Sequence, residues 1–206
     1  MALKKPRIGV FGGAFDPPHK AHVALVQSAL AQLALAELRI FPTGQAWHKA
    51  RALSSAEDRL AMSRLAFDGI ANTVVDAREI SRPGPTYTLD TLRELQQEHP
   101  AAQLVLIMGA DQALSLPRWH GWEDILSIAI ISVAYRAIPT GSSGEFDPSN
   151  LPSLPAGARF EKLQLPPMDI SATDIRSRAA RGVDLNELVP PAVARYIEQH
   201  HLYRSA

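Results

Sequence analysis

The chain has 206 residues, 46% of them hydrophobic, with 21 lysines and arginines balanced by 21 aspartates and glutamates and no cysteine. That neutral balance argues against nucleic-acid binding as the main role, and the lack of cysteine excludes disulfides and thiol chemistry. One α/β domain spanning residues 1–206 is the default at this length, large enough to bury roughly 70% of the surface an unfolded chain exposes. The opening MALKKPRIGV lacks the apolar core of a secretion signal, and no apolar run reaches the length of a membrane span. A cytoplasmic enzyme with no membrane partner is the expectation. The oligomeric state is left open, a homo-oligomer included.

Arg7 to Phe11 reads as a short buried strand, carried by Ile8, Val10 and Phe11. Gly12 and Gly13 then let the backbone turn sharply and expose its N–H groups. Pro17 and Pro18 stiffen the next turn and suit a helix start. A helix is expected over 19–36, with Val23, Val26, Leu30 and Leu33 as its apolar stripe. His19 and His22 fall one turn apart near its beginning. A helix N-terminus carries partial positive charge and unpaired donors, so glycines and imidazoles together suit a phosphate. Three plainer readings stand beside this one. The first is ordinary strand–turn–helix architecture. The second is a dinucleotide fingerprint, although G-x-G-x-x-G is absent and the second strand ends in Phe41-Pro42. The third is a zinc site, although zincin histidines are spaced four apart with a glutamate beside the first.

Leu38 to Phe41 is the second strand, followed by a loop over 42–53 that holds Trp47, His48 and Lys49, either a phosphate and ring contact or a surface patch. Ser54 and Glu57 form a capping box for a helix to about Phe67, with Leu60, Met62, Leu65 and Ala66 near its buried side. Thr73 to Val75 is a third strand. In Arg78 to Leu92, Gly84 and the prolines make a rigid turn, and Thr86 or Thr88 caps a helix to about His99. Gln103 to Met108 is the strongest central strand, ending in Gly109-Ala110-Asp111. An acid at such a strand end either grips ribose hydroxyls or caps the next helix. Trp119 and Trp122 lie in a loop over 114–126, where one ring folds into the core and the other suits a flat aromatic ligand. Ile128 to Tyr135 and Arg159 to Leu165 are the last strands, separated by a proline- and glycine-rich loop over 137–158. Ser171 then reads as an N-cap, with Thr173 and Arg176 on the first turns of the following helix. Those three make a donor-rich cradle for a polyphosphate, or a plain cap. The final helix starts at Pro190 or Pro191 and reads as packing.

GGAFDPPHKAH, at residues 12–22, resembles the G-G-x-F-D-P-x-H-x-G-H signature of the nucleotidyltransferase superfamily of adenylyl- and cytidylyltransferases. It departs from it at Ala21, where the family has Gly. Ile170-Ser171-Ala172-Thr173-Asp174-Ile175-Arg176 is similar to the superfamily's second signature, I-S-x-T-x-[IL]-R. Within the superfamily, the segment from Arg82 to Leu92 resembles that of bacterial nicotinate-mononucleotide adenylyltransferases, and the ending Tyr196 to Tyr203 is family-like with one inserted residue. The resemblance implies a doubly wound, mostly parallel, Rossmann-like sheet and adenylyl transfer from ATP to nicotinate mononucleotide in NAD biosynthesis. It implies ATP contacts at Gly12, Gly13, Phe15, Gly109, Asp111, Ile170, Ser171 and Thr173. His19, His22, Lys49 and Arg176 would be catalytic, acting on the phosphates. Thr86, Tyr87, Trp119 and the His120 N–H would hold the mononucleotide. A Mg²⁺ ion would bridge phosphates, with Asp16 as a candidate for positioning it. The rival readings are a relative acting on nicotinamide mononucleotide or phosphopantetheine, and a nucleotide-sensing module without turnover.

Overall fold

The computed structural model describes residues 5–44, 53–136 and 146–204. Six strands form one sheet: β1 Arg7–Gly13, β2 Glu37–Pro42, β3 Thr73–Val75, β4 Gln103–Gly109, β5 Ala129–Arg136 and β6 Phe160–Leu165. Their order is β3-β2-β1-β4-β5-β6, and every pairing is parallel. The expected doubly wound sheet is therefore present, and parallel throughout. Eight helices lie among the described residues, six between strands and two after β6: α1 Lys20–Gln32, α2 Ala56–Phe67, α3 Arg78–Ser81, α4 Thr88–Glu98, α5 Ala110–Ser115, α6 Trp122–Ile128, α7 Ala172–Ala180 and α8 Pro191–Gln199.

Alternation along the strands builds two cores, because successive side chains leave opposite faces of a sheet. On one face Phe11, Leu38, Ile40, Val105, Ile107, Ile130 and Leu163 pack under α1, α2, α7 and α8. On the other, Ile8, Val10, Phe41, Leu104, Leu106, Met108, Ile131 and Val133 pack under α4, α5 and α6. A strand covered on both sides has no polar positions to spare, which explains the unbroken apolar run of β4.

Several boundaries differ from expectation for local reasons. The α2 cap is Ser55, not Ser54: its Oγ accepts from Asp58 N–H at 3.0 Å. Leu65 faces outward, while Arg59, Met62, Ser63, Ala66 and Phe67 are the buried positions. Neither Thr86 nor Thr88 caps α4; Tyr87 occupies the N-cap position and makes no side-chain cap bond. The segment over 114–126, expected as a loop, is largely helical, because α5 runs into a 3₁₀ turn at Leu116–Arg118 and α6 follows at once. These helices are six and seven residues long, too short for periodicity to reveal them.

Candidate active site

In parallel sheets of this kind ligands gather at the carboxyl ends of the strands, where the chain order reverses direction. Here that point lies between β1 and β4. Val10 pairs with Leu106. Three residues beyond that pair on each strand stand Gly13 and Gly109, so both glycines end their strands at the same level. A methyl group at Gly109 would meet nothing within 4 Å, and one at Gly12 would only graze the Phe41 carbonyl oxygen at 4.0 Å. The end of β4 and the penultimate residue of β1 thus open onto free volume.

The loop after β1 is held from below by aromatic packing. Phe15 has a φ of 47°, a left-handed backbone that costs a non-glycine residue about 1–2 kcal/mol. Its ring is buried and packs edge-on to Phe11, His22 and Phe67, with centroids 5.4, 5.1 and 5.8 Å away. A methyl at Gly13 would stand 2.9 Å from this ring. The second glycine therefore serves to let Phe15 fold back under the loop. The side chain of Phe15 belongs to the core, so only its backbone is left for the expected ATP contact.

His19 is the N-cap of α1 and is only 6% exposed, while His22 is partly exposed. The two rings stack with centroids 3.7 Å apart. The His19 backbone N–H donates to His22 Nδ1 at 3.2 Å. A ring that accepts at Nδ1 carries its neutral-form proton on Nε2, which makes Nε2 a donor suited to a phosphate oxygen. One donor of the first turn is committed elsewhere: Lys20 N–H bonds the Leu188 carbonyl at 2.9 Å.

The second motif meets the first. Ser171 caps α7, its Oγ accepting from Asp174 N–H at 3.2 Å. Arg176 Nη1 donates to the Asp16 carbonyl at 2.9 Å, and Nη2 donates to Thr173 Oγ1 at 3.1 Å. The start of α7 and the loop leading into α1 are therefore in direct contact, 160 residues apart in sequence. Ser171 and Thr173 are exposed, and Ile170 packs partly into the core.

Asp16 is buried, and its carboxylate is engaged on both oxygens. Oδ1 accepts from the Tyr203 hydroxyl at 2.7 Å, and Oδ2 accepts from Ser54 N–H at 3.4 Å. That engagement fits a structural tie better than a metal ligand. No group of three or more metal-ligating side chains occurs among the described residues.

Residues expected to hold the mononucleotide also converge. The Tyr87 and His120 rings lie 4.5 Å apart, which brings the start of α4 beside the turn before α6. Trp119 and Trp122 both pack partly against the second core. Trp119 N–H is taken by the Leu116 carbonyl, while His120 is exposed. Asp111 is exposed in the first turn of α5, whose N-cap is Gly109 rather than the acid. Lys49, with Trp47 and His48, lies outside the described residues, as does 137–145 of the long loop.

Two supporting side chains escaped the sequence reading. Arg59 is 2% exposed and donates to four carbonyls: Ser54 at 3.1 Å, Ala14 at 3.0 Å, Thr43 at 2.6 Å and Gly44 at 3.1 Å. It ties the loop after β1 to the loop after β2. Burial lowers its pKa, and the nearby Asp16 charge opposes that shift. A signal existed, since Arg59 shares a helical face with Met62 and Ala66. Its charge argues against burial unless partners are known. The other is Tyr203, past the end of α8, which no local pattern links to Asp16.

Residues 10–178 match the cytidylyltransferase-like family model. The chain belongs to that family. This cytidylyltransferase-like chain is 54% identical, over 97% of its own length and 99% of its relative's, to a protein of Albidiferax ferrireducens named "Probable nicotinate-nucleotide adenylyltransferase". A protein of the same name from Methylibium petroleiphilum is 43% identical over 98% of this chain and 94% of its own. Its fold matches a Plasmodium falciparum nicotinic acid mononucleotide adenylyltransferase complexed with APC, with a TM-score of 0.76 at 19% identity, over 96% of this chain and 97% of the other. The same Plasmodium enzyme complexed with NaAD gives a TM-score of 0.75. No helix among the described residues of this family member is long and apolar enough to cross a membrane.

Proposed function

We propose that this chain is a nicotinate-nucleotide adenylyltransferase of NAD biosynthesis, acting as a single domain on ATP and nicotinate mononucleotide. The observation that supports the reading is the Arg176–Asp16 contact, which brings the start of α7 against the loop between β1 and α1. The near full-length identity to relatives of that name supports the choice of substrate.

The chemistry asks little of a general base. A 5′-phosphate has a second pKa of about 6, so it is mostly dianionic at neutral pH. It attacks the α-phosphorus of ATP in line, forming the new P–O bond as the bond to pyrophosphate breaks. The obstacle is repulsion between two polyanions, so catalysis consists of orientation and charge stabilisation. We assign His22 Nε2, with His19 stacked behind it, to the α- and β-phosphate oxygens. Arg176, Ser171 and Thr173 take the departing pyrophosphate, with Lys49 as a second cation. Gly12 and Gly13 allow close approach of the triphosphate, with Phe15 and Ile170 flanking it. Gly109 and Asp111 take the ribose of ATP. Thr86, Tyr87, Trp119 and the His120 N–H hold the acidic ring of the mononucleotide. With Asp16 engaged as it is, a Mg²⁺ ion would arrive on ATP, held by phosphate oxygens and water, and would spread the triphosphate's negative charge.

The test is a substrate panel. Purified protein with ATP and Mg²⁺ receives nicotinate mononucleotide, nicotinamide mononucleotide or phosphopantetheine, and pyrophosphate release is followed. Fastest release with nicotinate mononucleotide is expected. Release only with phosphopantetheine, or with none of the three, overturns the proposal.

A further inference from the structure

The last turn of the chain reaches under the phosphate loop. Tyr203 follows α8 with a φ of 65°, a left-handed backbone, and packs partly against the first core. Its hydroxyl donates to Asp16 Oδ1 at 2.7 Å, across 187 residues of sequence, and its nearest sulfur neighbour is Met62 Sδ at 4.0 Å. Asp16 is 3% exposed. The same residue offers its backbone carbonyl to Arg176 Nη1 at 2.9 Å. A continuous chain of bonds therefore runs from Tyr203 through Asp16 to the Arg176 guanidinium.

We infer that Tyr203 is a positioning residue for ATP, holding Asp16 so that its carbonyl aims Arg176 at the triphosphate. This rests on the assignment of Arg176 to the phosphates. A buried carboxylate needs its donors, and losing one shifts the group or neutralises it. Ser54 N–H reaches the same carboxylate at 3.4 Å, against 2.7 Å for the phenol, so the phenol is the stronger hold of these two. Burial and the Asp16 charge both push the phenol's pKa far upward, which keeps Tyr203 a protonated donor throughout the working pH range. Removing only the hydroxyl leaves the ring's packing in place, loosens the Asp16 side chain and so shifts the residue whose carbonyl anchors the guanidinium.

The test uses Tyr203→Phe, with Tyr196→Phe as control. Tyr196 lies on α8, just before the turn that holds Tyr203, and donates to Asp58 Oδ1 at 2.9 Å, so its loss loosens α8 without touching Asp16. ATP binding is measured by titration calorimetry, and kcat and both KM values by pyrophosphate release, beside melting temperatures for all three proteins. Tyr203→Phe is expected to weaken ATP binding and raise the KM for ATP about tenfold. The KM for nicotinate mononucleotide should hold within about twofold, and Tyr196→Phe should match wild type in both. Unchanged ATP affinity in Tyr203→Phe, or equal losses in the two variants, overturns the inference. Wild type that binds ATP but turns over none of the acceptors refutes the proposed reaction, yet leaves the calorimetric comparison decisive. Wild type that fails to bind ATP overturns both.

Discussion

Gly44 and Glu79 meet through their backbones: a methyl group at Gly44 would stand 2.2 Å from the Glu79 carbonyl oxygen and 3.1 Å from Thr86 Oγ1. This contact seats α3, and the Thr86 segment behind it, against the end of β2. Backbone cannot yield as a flexible side chain can. Gly44→Ala should therefore destabilise the protein by about 1–3 kcal/mol. It should also raise the KM for nicotinate mononucleotide more than that for ATP. Urea unfolding and initial-rate kinetics check the two halves, and wild-type stability would show that α3 moves freely.

Glu79 itself is buried, and burial pushes its pKa up to about 7. The Thr91 hydroxyl donates to it at 2.8 Å, Arg82 opposes the rise, and the Asp76 and Glu94 charges add to it. The folded protein thus holds this proton more tightly than the unfolded chain. The resulting stability is fully present below the ordinary glutamate pKa and disappears as pH rises through about 7. Between pH 5 and 8 wild type should lose roughly 2–3 kcal/mol through this group, and Glu79→Gln should lose little. Chemical denaturation across that range decides it; parallel curves for the two proteins would rule it out.

Arg59 holds four carbonyls from inside the fold. Arg59→Met preserves much of the length and removes every donor. A loss of about 3 kcal/mol is expected, because acceptors left in a buried place are not rehydrated. Arg59→Lys should recover only part of it, since one ammonium cannot reproduce the planar fork. Thermal melts of both variants provide the measurement, with full recovery by Lys as the contrary result.

His22→Ala should leave the fold intact and reduce kcat by roughly 10²–10³, the range for losing one donor aimed at developing charge. His22→Gln, which keeps an N–H donor, should retain more. Pyrophosphate release under saturating substrates reads this directly; near-normal turnover in His22→Ala would remove the imidazole from the chemistry.

Trp119→Ala tests the other substrate. The KM for nicotinate mononucleotide should rise at least about tenfold if ring stacking on the ligand is lost, while ATP affinity stays close to wild type. Equal losses for both would mean the indole serves packing only.

The strands and the Ser171 cap were legible in the sequence because each rests on local information. Apolar runs bounded by glycine mark β1 and β4, and Ser171 caps the helix it was expected to cap. What escaped depends on distant partners. Arg59 looks like a surface residue until the carbonyls of Ala14 and Thr43 close around it. Tyr203 is an ordinary tyrosine after α8 until Asp16 meets it across 187 residues of sequence. Phe15 sits in a ligand signature, yet its ring serves the core, and no spacing rule separates those roles. The short helices α3, α5 and α6 complete too few turns to leave a pattern.

The placement of β1 has a further consequence for how the molecule is made. It is made before the other five strands of the sheet, yet it lies between β2 and β4, so one of its flanks stays unmatched until residue 103 and beyond has been synthesised. The Asp16 carboxylate waits longer still, for the phenol at position 203. A nascent chain thus holds the loop after β1 in an unfinished setting while the rest of the sheet is made, and a chain stopped shortly before residue 203 would have all six strands and an Asp16 carboxylate without its phenol donor.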